Sequence, residues 1–289
     1  MKAMCESFPE KLKNVSSPWT EKLFDVTESE QLNPEKSSTF HTYVMKIMFV
    51  AKRARQDVLP GVAFLATRTR GSTAQDWNKL VRLLSWMNKT CNDATTLEAD
   101  DKNEEYWHVD AAFAVHNDMK SHTGGTFTLG KGVITSVSTK QKVNSRSSTE
   151  AELIGMDDVV DKIVWAHEFI GAQGFKSKTI VNRDNTSSMK LEMNGKASSG
   201  KRTRHFNIRY FYVTDLIKRD IMSIKYCPTE DMMADYMTKP LVGFKLHYFR
   251  AWIMNLPQYP ELASRSVLAN RRQKSFTNEL TTTSQFGSR

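Results

Sequence analysis

The sequence predicts a mixed α/β layer fold preceded by a small all-helical module. Three observations predict it. Apolar residues recur at helical spacing through the first third of the chain, a polar stretch follows, and beyond that stretch short apolar strands alternate with helices. The 289 residues are 39% hydrophobic and 10% aromatic, enough apolar mass to build a core and to exclude a chain disordered throughout.

Residues 1–39 are polar and mixed, without sustained period, and read as an irregular lead-in. A helical pattern runs from Phe40 to Arg55 and a second from Val58 to Thr67. The third is the clearest. Ser72 and Thr73 stand ahead of Asp76 as an N-terminal cap, and Trp77, Leu80, Val81 and Leu84 fall at i, i+3, i+4 and i+7. These patterns make a helical module over 40–90, and the polar residues of 91–103 read as a linker.

From 104 to 255 the pattern changes. Tyr106 to Phe113 predicts a strand, and Thr126 to Leu129 with Val133 to Ser138 predicts a hairpin around Gly130-Lys131-Gly132, whose glycines supply the positive φ of a tight turn. Ser148 to Ile170 predicts a long amphipathic helix with Leu153, Met156, Val160, Ile163 and Val164 on one stripe. Then come a strand at 179–182, helices at 186–193 and 206–218, a strand at 221–226, a short helix at 231–237 stopped by Pro240, and a helix at 244–254. Tyr210, Phe211 and Tyr212, and the cluster Met232, Met233 and Met237, read as core. Residues 256–289 form a polar tail, in which the short run Arg271-Arg272-Gln273-Lys274 carries little weight.

Composition narrows the functional classes. Lys and Arg number 41 against 32 Asp and Glu, a net +9 that favours a polyanionic partner such as nucleic acid. The most apolar run, Val44 to Leu65, is cut by Lys46, Lys52, Arg53, Arg55 and Asp57, short of the ~18 uninterrupted apolar residues of a membrane span. No basic start leads into an apolar segment, so an intracellular, cytoplasmic or nuclear protein is expected and not a secreted one. Cys5, Cys91 and Cys227 make neither a disulfide frame nor a Cys-x-x-Cys knuckle, which suits a reducing compartment.

Four carboxylates occupy unusual places. Asp110 lies inside an apolar strand, where a charge is expensive to bury unpaired. Glu152 lies in the first turns of the long helix, Asp184 directly follows Ile180-Val181-Asn182-Arg183, and Asp235 stands among Met233, Ala234, Tyr236 and Met237. Carboxylates converging at element ends repel one another and call for a counterion, for which Mg²⁺ is the usual answer. Each residue taken alone also has a plainer reading: Asp184 as a turn or cap residue, Glu152 as a helix-start charge, Asp235 as a residue facing water. Asp110 has the least comfortable plain reading.

The blocks Val109-Asp110-Ala111, Ser147 to Glu152, Asp184-Asn185, Lys201-Arg202-Thr203-Arg204-His205-Phe206 and Ala234-Asp235-Tyr236-Met237-Thr238-Lys239-Pro240 resemble, in order, the ribonuclease H region of copia-type LTR-retrotransposon polyproteins. The stretch from Phe40 to Thr90 is similar to the thumb/connection piece between polymerase palm and ribonuclease. The resemblance implies a ribonuclease H-like mixed sheet with flanking helices. It implies a nuclease that cleaves the RNA strand of RNA·DNA hybrids, with two Mg²⁺ ions, or Mn²⁺, held by Asp110, Glu152, Asp184 and Asp235 as catalytic and metal-binding acids. Glu152 rather than Glu150 matches the family's helix start. Arg183 ahead of Asp184, Arg204 where the family has Lys, and His108 depart from the pattern, and none is expected to touch a proposed ligand. The polymerase palm with its Tyr-x-Asp-Asp turn is missing, Leu97 to Asp101 being a poor imitation, so no polymerase activity is expected.

Lys201, Arg202 and Arg204 sit in a Gly/Ser-rich cationic stretch between two of these blocks. They suit phosphate contacts along a hybrid, and by composition alone they equally suit a solvated loop. His205 is read as a packing or phosphate-contact residue at a helix start and stays outside the catalytic set, although an imidazole beside metal ions also suits a general acid or a product-release group. A rival reading keeps the fold and the basic groove but not catalysis, leaving a tethering module. An integrase-like DNA nuclease is a third.

Overall fold

A computed structural model describes residues 1–195 and 207–256, without the side chains of 207–210. Lys201, Arg202, Arg204 and His205, and the tail beyond Leu256, lie outside the described residues.

Local capping chemistry sets the helices of the first third. After a single-turn helix α1 (Lys2–Glu6), α2 (Pro34–Ala51) begins at Pro34 and not at Phe40. Asn33 is its cap, its side chain accepting the Lys36 N–H at 2.8 Å, and Pro34 sits in the first turn, where no N–H is needed. α3 (Leu59–Ala66) is buried along most of its length. α4 (Ala74–Lys89) opens with a reciprocal cap: the Asp76 N–H donates to Thr73 Oγ1, and the Thr73 N–H donates to the Asp76 carboxylate.

The lead-in has little regular structure yet is firmly packed. Cys5, Phe8, Trp19, Leu23 and Phe24 are buried against α2, α3 and α4, and the same core takes in Tyr236, Met237 and the last helix. The polar stretch after α4 is also tied down. Its two-residue strand β1 (Glu98–Ala99) pairs with another, β4 (Gly130–Lys131), at the turn expected to be a hairpin, and the Thr96 N–H donates to Met254 O. Gly132 in that turn has φ +72°, the left-handed region glycine tolerates.

The sheet has five strands in the order β5-β3-β2-β6-β7: β2 (Glu104–Ala112), β3 (His122–Thr128), β5 (Thr135–Lys140), β6 (Lys178–Arg183) and β7 (Met222–Tyr226). β2, β3 and β5 run antiparallel, whereas β6 and β7 lie parallel to β2. Parallel neighbours require a crossover. α5 (Ser148–Ala172) supplies the first, and α6 (Thr186–Asn194) with α7 (Asn207–Lys218) the second. This five-stranded mixed sheet with flanking helices agrees with the mixed α/β fold expected from the sequence.

Side chains alternate across β2. Trp107 and Val109 join Met156, Val159, Val160 and Ile163 of α5 in one core. Asp110 therefore faces away from α5, toward the short helix α8 (Asp235–Thr238). Where a helix was expected over 231–237, a 3-10 turn at Thr229–Asp231 comes first and α8 begins only at Asp235, while Met232, Met233 and Met237 are buried. α9 (Gly243–Met254) returns into the helical core. Phe211 packs against Leu153 and Leu191, but Tyr212, expected in the core, is 42% exposed. Among the described residues no helix is long and apolar enough to cross a membrane, and Cys5, Cys91 and Cys227 form no disulfide.

Candidate metal centre

Strand register brings the first two acids together. β2 and β6 are parallel neighbours with His108 level with Asn182, so two residues further along each chain Asp110 stands level with Asp184. The second turn of α5 passes the same end of the sheet and carries Glu152. The helix reaches that place because Ser147 caps it, accepting the Glu150 N–H at 3.1 Å, while Glu150 turns back to accept the Arg146 N–H at 2.7 Å. Glu150 is thus occupied with the helix start, and Glu152 points into the cluster. One oxygen from each of Asp110, Glu152 and Asp184 lies within 4.8 Å of the others.

Close packing makes the approach possible. Gly124 lies opposite Asp110 on β3, and a Cβ there would stand 2.5 Å from Thr238 Cγ2 and 2.8 Å from Ala234 O. Only a glycine lets α8 lie this close to the sheet. Thr238 Oγ1 then donates to Asp110 Oδ2 at 2.6 Å.

Asp235 is not one of the three clustered acids. It stands beside them, joined to Asp110 through Lys239, whose Nζ is 2.6 Å from Asp235 Oδ1 and 3.7 Å from Asp110 Oδ2. Thr229 Oγ1 donates to Asp184 Oδ2 at 3.0 Å.

Arg183 corrects the expectation that no departure from the motifs touches a ligand. It is fully buried, and its Nη2 donates to Glu152 Oε2 and to the Glu152 carbonyl, each at 3.0 Å. On its other side Nη1 faces Glu192 Oε1 of α6 at 3.4 Å, a charge contact without hydrogen-bond geometry. Sequence position hides this contact. Arg183 is the last residue of β6, and its side chain leaves the sheet on the face where α5 and α6 begin. Thr238 and Lys239 were visible as members of a motif block but carried no assigned role.

The electrostatics follow from burial. Glu152 is 5% exposed, and that burial pushes its pKa up to about 8, with Asp110, Asp184 and Glu192 adding to the rise and Arg183 opposing it. Burial raises Glu192 to about 7 against the pull of Arg183. Asp235 is raised by burial and then by Asp110, with Lys239 working the other way. Carboxylate oxygens so grouped are the hard donors that Mg²⁺ or Mn²⁺ takes, so the residues present fit a divalent ion. Each clustered acid has one oxygen fixed by a protein donor and keeps another to offer.

No family model matches the sequence. The chain is 25% identical over 222 residues to the retrovirus-related Pol polyprotein from transposon TNT 1-94 of Nicotiana tabacum, an overlap of 76% of this chain and 16% of that polyprotein. It is 26% identical over 208 residues to the retrovirus-related Pol polyprotein from transposon RE2 of Arabidopsis thaliana, covering 70% and 14%. The chain therefore spans 16% or less of the length of these relatives. Among solved structures, LC11-RNase H1 isolated from compost aligns with a TM-score of 0.37 at 11% identity, covering 47% of this chain and 93% of that one. The foamy viral protease-reverse transcriptase in complex with dsDNA aligns with a TM-score of 0.35 at 13% identity, covering 72% and 40%. In sequence, the chain is homologous to the retrovirus-related Pol polyproteins of plant transposons.

Proposed function

We propose that the chain is a divalent-metal-dependent nuclease that cuts the RNA strand of RNA·DNA hybrids. The observation that carries this reading is the meeting of Asp110, Glu152 and Asp184, from three separate elements, at one end of a mixed sheet. Asp110, Glu152 and Asp184 are the residues to hold one ion, and Asp110 with Asp235 to hold a second. Bound divalent ions would supply an activated water and stabilise the leaving 3′-oxygen of the phosphodiester. Thr238 and Thr229 fix the rotamers of Asp110 and Asp184, and Arg183 fixes that of Glu152.

A cleft supports a polyanionic substrate. Lys52, Lys140, Lys142 and Lys162 line a cavity of about 750 Å³ between α2, α3 and the edge strand β5, with Asp158 as the acid among them. Gly124 pairs with both Asp110 and Ser138, so the Ser138 lining this cleft lies two strands from Asp110, ~10 Å away. Lys201, Arg202 and Arg204 are proposed as further phosphate contacts.

The ion pair between Arg183 and Glu152 favours a second reading, a hybrid-binding module whose acids no longer support cleavage. Incubation of the purified chain with a labelled hybrid separates the two. Mg²⁺-dependent release of 5′-phosphate RNA fragments, lost in Asp184→Asn, supports the nuclease. Binding without cleavage supports the tether, and cutting of duplex DNA without preference for hybrid points to an integrase-like activity. Primer extension by this chain is expected to be nil.

A further inference from the structure

The place beside Asp110 that a second ion would need already holds a cation. Lys239 Nζ lies between Asp235 Oδ1 at 2.6 Å and Asp110 Oδ2 at 3.7 Å, and both carboxylates are buried. We propose that Lys239 is a tethered counterion filling the Asp110–Asp235 half of the centre, so that the resting site takes one divalent ion, at Asp110, Glu152 and Asp184. This rests on the metal-site reading above and refines its stoichiometry.

Three features of the chain support it. Lys239 follows α8 directly, four residues after Asp235, so the ammonium returns to the start of its own helix and the pair is local. A tether that short gives an effective ammonium concentration in the millimolar range or higher, comparable with the free ion it competes against. An ammonium and a divalent ion bridging the same carboxylate oxygens also repel each other, in a site where little water screens them. Finally, Thr238 and Lys239 both address Asp110 Oδ2, so that oxygen is turned toward α8 and away from a shared ion. A second ion then enters only when something draws Lys239 aside, and a substrate phosphate is the group chemically suited to do so.

Mn²⁺ binding to the full chain tests this without any catalytic readout. Free Mn²⁺ is counted by electron paramagnetic resonance at total concentrations up to about 1 mM, the range the tether argument sets. The native chain and Lys239→Arg are expected to bind one ion each, Lys239→Met two, and Asp184→Asn none. Two ions in the native chain, or one in a folded Lys239→Met, overturn the proposal. No ion in the native chain overturns instead the metal-site reading beneath it. Should Lys239→Met fail to fold, trace acetylation of the native chain read by mass spectrometry decides. With one Mn²⁺ bound, Lys239 is expected to stay protected relative to the exposed Lys245. Equal reactivity of the two sinks the proposal.

Discussion

Arg183 shows how one side chain alters an acidic centre. It has no exposure, yet it serves two buried carboxylates from opposite sides, Glu152 and Glu192. A buried pair of this kind adds little net stability relative to well-packed apolar residues, but removal of one member leaves charge without a partner. Arg183→Met is therefore expected to lower stability by ~3–5 kcal/mol, seen as a reduced denaturant midpoint with unchanged slope. Arg183→Met combined with Glu192→Met should recover part of that loss, because one of the stranded carboxylates is then gone. A double variant no better than the single would show that the arginine acts mainly through Glu152. The residue was readable in sequence as a departure beside Asp184. Its partners were not, because a long side chain at a strand end has several faces open to it and only the packed helices decide among them.

At the scale of elements, α8 is set against the sheet by an absence. Gly124 provides the gap, and Thr238, which donates to Asp110, lies over it. Gly124→Ala would bring a methyl group within 2.5 Å of Thr238 Cγ2 and 2.9 Å of Met237 Cβ, so α8 must lift or β3 must shift. Overpacking of this kind typically costs ~1–3 kcal/mol. The expected outcome is a stability loss of that order together with hybrid cleavage reduced more than tenfold, measured on the same preparation. Normal cleavage by a destabilised Gly124→Ala would show that α8 need not sit close for the centre to work. Most elements were legible in the sequence, including the long helix beginning at Ser148, the strands around Asp110 and Ile180, and the capped helix after Thr73. The start of α2 was missed because apolar period was weighed above the Asn33-Pro34 cap signal. The closeness of α8 was not legible at all, since Gly124 on its own says nothing of what lies above it. Position marked Asp110, Glu152, Asp184 and Asp235 as unusual one by one, and only the order of the motif blocks made them a set, of which the structure clusters the first three. The Lys239 bridge depends on a packing distance that sequence does not encode locally.

Over the whole molecule, a buried ionic group ties the turn before α3 to α9, far apart in the chain, and stability follows pH accordingly. Asp57, beside α3, receives Arg55 Nε at 2.8 Å and Arg250 Nε of α9 at 2.8 Å, while the Tyr236 hydroxyl donates to the Asp57 carbonyl at 2.8 Å. Burial opposes its charge, but the two guanidiniums outweigh burial and hold its carboxyl well below the usual range. Asp57→Ala strands both arginines and is expected to cost ~3–5 kcal/mol while the protein still unfolds in one transition, followed by tryptophan fluorescence and by far-ultraviolet circular dichroism together. Two separated transitions in the native protein would contradict such joining. Two other buried sets bound the pH range. His116 and His122 lie 3.0 Å apart, and burial lowers them to about 4 and about 3, so each folds neutral. Their contribution is complete above the ordinary histidine value and is lost as pH falls from ~6.5 toward those folded values, because protonation favours the unfolded chain. Glu152 and Glu192 act in the opposite sense. Raised to about 8 and about 7, they favour the fold fully below the ordinary glutamate value, and that contribution fades as pH climbs toward the folded values. Without divalent ions the melting temperature is therefore expected to peak near pH ~6 and decline on both sides. Addition of Mg²⁺ should lift the alkaline limb and leave the acid limb unchanged, since the ion binds the ionised carboxylates of the folded state and has no part in the histidine pair. In Glu152→Gln the alkaline decline should be shallower and the Mg²⁺ effect smaller. An alkaline limb indifferent to both Mg²⁺ and Glu152→Gln would mean that these carboxylates do not set it.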